Sequence, residues 1–199
     1  MKKNMDIKKM ARLAALIVSG LVIVSGIIIG VTGYWPIALV DRTPVTYNEF
    51  KENFMMADHF YRSNLKLAGE DDRTVMSADA QRDLQRVTME GIVEQVLIGH
   101  ELAKRYSSSD LKQLVDNKIG SIDLASGDMA KGTQLLYGLT PEQFKELVLI
   151  PKAKQEILEG NLTLQNGTFN DWLTTRKSEA HVSIFIPALY WQGGEVKVK

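Results

Sequence analysis

Three histidines, His59, His100 and His181, are the side chains best suited to acid–base or metal chemistry near neutral pH. They lie far apart, and none belongs to a His-x-x-x-His or His-Glu-x-x-His pattern, since His100-Glu101 lacks a second histidine. His59 beside Asp58 reads as a surface pair on a helix. Ser107-Ser108-Ser109 offers hydroxyls, but a serine nucleophile needs a base and an oxyanion site around it. With Asp110 following, the triplet reads as a helix cap. Asp71-Asp72, Asp79 and Asp83 cluster carboxylates without the dense oxygen ligands and Gly turn of a calcium loop, so they read as solvated charge. There is no Gly-x-Ser-x-Gly elbow and no P-loop. The absence of cysteine excludes disulfides, thiolate metal sites and a Cys nucleophile. Asn161-Leu162-Thr163 and Asn166-Gly167-Thr168 have glycosylation spacing but read as loop and cap residues. The expectation is a protein that is not an enzyme, with no catalytic residue, metal or cofactor.

What remains is apolar surface. Phe54, Met55, Met56, Phe60 and Tyr61 crowd one helix on more than one face, whereas a core needs a single stripe. Methionine is flexible and polarizable, which suits adaptable binding. Leu135, Leu136, Tyr137 and Leu139 form a second patch. Phe54, Met55, Met56, Phe60, Tyr61, Leu136 and Tyr137 are therefore the candidate polypeptide-contact residues.

The elements that must carry these patches are mostly helical. Val45–Tyr47 is extended, and Thr46 with Glu49 has capping-box spacing. A helix follows to about Ala68, stopped by Gly69, with Phe50, Phe54, Ala57, Tyr61 and Leu65 on one face. Ser77 caps a helix to about Tyr106, striped by Leu84, Val87, Ile92, Val93, Val96, Leu97, Leu102 and Ala103. At 1.5 Å per residue it is about 40 Å long, so something must pack along its whole face. A shorter helix follows the serine turn and ends near Gly120, and another spans about Met129–Tyr137. Thr140-Pro141-Glu142-Gln143 is a strong helix start, leading to about Leu158 with a kink at Pro151 and a loop over residues 161–167. Thr168 caps a last helix, and residues 181–186 alternate as a strand. Residues 187–199 read as a tail in which 195–199 alternate but are short and charged.

The chain has 199 residues, 24 basic and 24 acidic, and is 45% hydrophobic, too apolar for disorder throughout. The balance is uneven. Lys2, Lys3, Lys8, Lys9 and Arg12 against Asp6 leave residues 1–12 at +4 and the remainder at −4. A mildly acidic body argues against nucleic acid as a partner. Leu13–Val31 has only Ser19 and Ser25 as polar side chains and is long enough to span a bilayer as a helix. Tyr34 and Trp35 suit the interface, and Pro36 stops the helix. The basic residues precede the span, so residues 1–12 are expected in the cytoplasm, 13–35 as a signal anchor, and the body outside. Gly26 and Gly30 have helix-dimer spacing, so weak homo-oligomerisation is among the expectations.

The order of motifs resembles the N-terminal domain of SurA-type periplasmic chaperones and PpiD-like membrane-anchored foldases. Val45-Thr46-Tyr47-Asn48-Glu49-Phe50 resembles the family's strand-to-helix opening. Val96-Leu97-Ile98, Leu102, Ala103 and the turn Ser107–Asp110 resemble its core helix and polar turn. Leu139-Thr140-Pro141-Glu142-Gln143-Phe144 resembles its next helix start. Trp172-Leu173 with His181-Val182-Ser183-Ile184 resembles its closing helix and strand, although Ala180–Ile184 also resembles the first strand of a parvulin. The likeness covers residues 41–186. The family's Asn-Gly turn before the first strand is replaced by Asp41-Arg42-Thr43-Pro44, and no parvulin domain fits after Ile186. The resemblance implies a mainly α fold: one membrane helix, a SurA-N-like helical domain and a small terminal β element. It implies an ATP-independent chaperone module in the inner membrane, its main domain periplasmic or extracellular, without prolyl isomerase activity. Its partners would be unfolded or nascent exported proteins. A dedicated interaction subunit of an envelope or secretion complex, and a foldase remnant, remain as alternatives.

Overall fold

The computed structural model describes residues 33–70, 77–124 and 126–199. The expected membrane span, Leu13–Val31, lies outside the described residues. Among those described, no helix is long and apolar enough to cross a membrane.

The chain is mainly helical, with two small sheets. Strand β1 (Pro36–Val40) is the centre of a three-stranded antiparallel sheet, flanked by β2 (Thr43–Thr46) and β3 (Val182–Ile184). Its Ile37, Ala38 and Val40 are buried. Between these strands run α1 (Tyr47–Ala68), α2 (Ala78–Arg105), α3 (Ser108–Ile119), α4 (Gly127–Tyr137), α5 (Pro141–Phe144), a π-helical turn (Lys145–Leu149), α6 (Ile150–Leu164) and α7 (Phe169–Glu179). The hairpin β4 (Leu189–Gln192) and β5 (Glu195–Val198) closes the chain.

The helix boundaries follow local chemistry. Thr46, Ser77, Ser107, Ser126, Thr140 and Thr168 each accept a hydrogen bond from the third backbone N–H of the helix they cap. Thr140 and Gln143 complete a reciprocal capping box, with Pro141 at the first helical position.

Helix α2 is the spine. Met89, Ile92, Val93 and Leu97 pack against β1, Val45, Phe50, Leu189 and Val196. One and two turns on, Ile98 and Leu102 pack against Leu158 and Leu162 of α6, with Phe169 and Trp172 beside them. Val115, Ile119 and Ala153 form a third cluster between α3 and α6. Leu84, Val87 and Ala103 of the expected α2 stripe join none of these clusters. Val87 is largely exposed, and so is Ala103, while Met89 and Ile98 take core places.

Four other expectations are corrected. Residues 33–35, the described end of the expected signal anchor, are not helical. Trp35 stacks on Tyr47 at 4.7 Å, its carbonyl accepts from the Tyr47 N–H, and Pro36 opens a strand. Helix α6 runs to Leu164, because Leu162 is buried and Asn161 is satisfied inside the helix. Its amide donates to the Ile157 carbonyl at 2.6 Å, and its carbonyl oxygen accepts from the Tyr106 hydroxyl at 2.9 Å. Pro151 perturbs the helix as a π turn just before it, where the Ile150 N–H reaches Lys145 and the widened turn relieves the crowding that a proline ring causes. Finally, residues after Ile186 are no tail. Leu189 and Val196 are fully buried in the main core, each contributing about 1.5–3 kcal/mol.

The β1–β2 turn consists of Asp41 and Arg42, both with positive φ (46° and 75°), the conformation that Asn-Gly or Gly-Gly usually supplies. Side-chain bonds hold it. The Asp41 carboxylate accepts from the His181 backbone N–H at 2.9 Å and from the Arg176 guanidinium of α7. Burial pushes this carboxyl up, but the His181 N–H and the Arg176 charge outweigh it and hold Asp41 below the ordinary carboxylate range. A second clamp joins α7 to α2, where Lys177 pairs with Glu90 and, at 2.8 Å, with Glu94. Because the Asp41 pKa is lowered on folding, its stabilisation is complete above the ordinary carboxylate pKa. It is lost as pH falls through the depressed folded value. Asp41→Asn is expected to cost about 2 kcal/mol at neutral pH. In denaturant titrations, the gap from the parent should close as the medium becomes strongly acidic. A gap independent of pH would refute this role.

Candidate functional site

The outer half of α1 leaves the core. Phe50 and Asn53 are its buried residues, and beyond Phe54 it lies between α2 and α4. On the α2 side, Asp58 holds Arg62 at 2.7 Å and receives the Gln81 amide at 3.1 Å. The Arg62 bond lowers the Asp58 pKa against the opposing effect of burial.

On the other side, α4 docks through its C-terminal end. Helix ends leave carbonyls without intrahelical partners. Here the Leu135 carbonyl accepts from the Ser63 hydroxyl at 2.9 Å and the His59 Nε2 at 3.2 Å. The Gln134 and Thr133 carbonyls accept from the Gly138 and Leu139 N–H groups. An aromatic ladder closes the base: Phe60 stacks on Tyr137 at 5.0 Å, and Tyr137 meets Phe144 of α5 at 5.1 Å.

Between the two helices lies an open groove of about 930 Å³. His59, Ser63, Lys66 and Leu67 form one wall, at steps of three, four or one that keep them on a single face of α1. Ala130, Lys131, Gln134 and Leu135 of α4 form the other, and Leu139, Thr140 and Pro141 close one end. Leu67 and Leu135 are 66% and 63% exposed.

None of the seven candidate residues lines this groove. Phe54 stacks on Phe50 at 6.0 Å and packs against the main core. Met55 is exposed and Met56 half-buried. Phe60 and Tyr137 support the groove from below through the ladder, and Leu136 is half-buried beside them. Tyr61 lines a smaller cavity of about 420 Å³ with Leu65, Leu84 and Val87. From the second patch, Leu135 and Leu139 do line the groove. The wall residues His59, Ser63, Lys66 and Leu67 escaped a search for apolar side chains because three of the four are polar. Their spacing is the signal that finds them.

The histidines do not converge. His59 is in the groove wall, His100 bonds the Thr43 hydroxyl at 2.8 Å, and His181 is exposed near Asp41. Ser107 caps α3 through the Asp110 N–H. Among the described residues, no group of three or more His, Asp or Glu could hold a metal.

The groove depends on Gly138. Its φ is +67°, and a Cβ there would lie 2.9 Å from the His59 Nδ1. Gly138→Ala is expected to cost about 1–3 kcal/mol in chemical denaturation and to shift the His59 ring resonances in NMR. An unchanged midpoint with an unmoved His59 would show that α4 does not lock here. No protein-family model, curated protein or solved structure matches this chain.

Proposed function

We propose that this protein is a membrane-anchored, extracytoplasmic chaperone module that holds unfolded or newly exported polypeptides without ATP. The observation that carries the reading is the groove between α1 and α4, an open trough with exposed Leu67 and Leu135 on facing walls. Exposed facing leucines offer apolar burial. Two of its polar wall residues, His59 and Ser63, are turned to the Leu135 carbonyl. Burial without directional bonding gives weak, broad binding.

The resemblance to SurA-type domains supports the same reading. The residues that carry it lie on β2, α2, the Ser107 turn, the Thr140 cap, α7 and β3, in that order along the chain. Anchoring through residues 13–31 would keep the groove at the membrane face, raising its effective concentration for emerging chains. The reading includes no prolyl isomerase activity.

Full-length protein in lipid nanodiscs should suppress light scattering from a chemically unfolded client at near-stoichiometric amounts, without nucleotide. Leu67→Asp combined with Leu135→Asp should abolish suppression while changing stability by less than about 0.5 kcal/mol, since both side chains are exposed. No suppression with several unrelated clients would sink the chaperone reading and favour a dedicated interaction subunit. The anchor predicts that alkaline washing of cell membranes leaves the protein in the pellet. Release into the wash would refute it.

A further inference from the structure

We infer that the groove between α1 and α4 selects apolar segments that carry acidic residues, pairing their carboxylates with Lys66 and Lys131. The inference rests on the polypeptide-binding reading and adds a charge to it.

Lys66 lies on α1 and Lys131 on α4, so the facing walls each present one cation, and among the described residues no carboxylate lines the trough. Both lysines are exposed, and among the described residues neither is paired with an acid. Glu70 and Asp83 line the neighbouring smaller cavity, and Arg86 holds Asp83 at 2.7 Å. A segment whose apolar side chains cover Leu67 and Leu135 would bring its flanking charges over these lysines. There, exclusion of water by the buried apolar part strengthens an ion pair. A basic flank would meet two uncompensated cations instead, which supplies discrimination through repulsion as well as attraction.

Three fluorescent peptides with one apolar core, flanked by Glu, Gln or Lys, provide the test. Each is titrated by anisotropy against the full chain in nanodiscs of uncharged phosphatidylcholine. The Glu-flanked peptide should bind about tenfold tighter than the Lys-flanked one, with the Gln-flanked peptide between, and added salt should narrow the range. Lys66→Glu with Lys131→Glu should reverse the order, and Lys66→Gln with Lys131→Gln should level it. Equal affinity for all three peptides, unmoved by salt or by either variant, would overturn charge selection and leave the groove reading standing. No binding of any peptide would overturn both.

Discussion

The sheet closure is the constraint on which the structure depends. β1 is buried and central, so its backbone groups need a partner on each side. One partner, β2, is next in sequence. The other, β3, arrives about 140 residues later, and the His181 N–H to Asp41 bond spans that same separation. Everything between must return the chain to its start. The helices do so as a circuit around α2, whose successive turns serve first the sheet and then α6 and α7.

That arrangement explains where the candidate site can exist. The middle and C-terminal turns of α2 are saturated with core contacts, while α1 outruns the core after Phe54. Its outer half and α4 are joined by carbonyl caps, an aromatic ladder and the close seat of His59 on Gly138 rather than by a stripe of buried aliphatics. Thr133 is the buried residue of α4. Two helices held this way leave facing surface uncovered, and the groove is that surface.

Much of the helical frame was legible because its signals are local. Ser77, Ser107, Thr140 and Thr168 announce helix starts, and Gly69 and Gly138 end helices with positive φ. What failed was long-range. β1 is an apolar run directly after a longer apolar run, and its pairing with β2 on one side and β3 on the other makes it a strand. Residues 195–199 alternate, but two strands as short as β4 and β5 become core only because α2 offers a place for Leu189 and Val196. Leu162 likewise extends α6 through contact with α2 rather than through propensity. At the site, the aromatic and methionine residues of α1 were easy to notice, but their destinations depended on which neighbour each face met. Phe54 turned to the core and Phe60 to Tyr137.

The two tight hairpins solve the same backbone problem differently, and the difference sets the order of assembly. Gly193 and Gly194 adopt positive φ without a steric penalty, so β4 and β5 can pair as soon as both exist. Asp41 and Arg42 lack that freedom, and the bonds that hold them come from Arg176 and His181. On a chain made from its N-terminus, the first hairpin is thus provisional until the last helix, α7, has formed. Domain completion is a late, high-contact-order event, and the edge of β1 that β3 takes stays unpaired until nearly the whole chain has emerged.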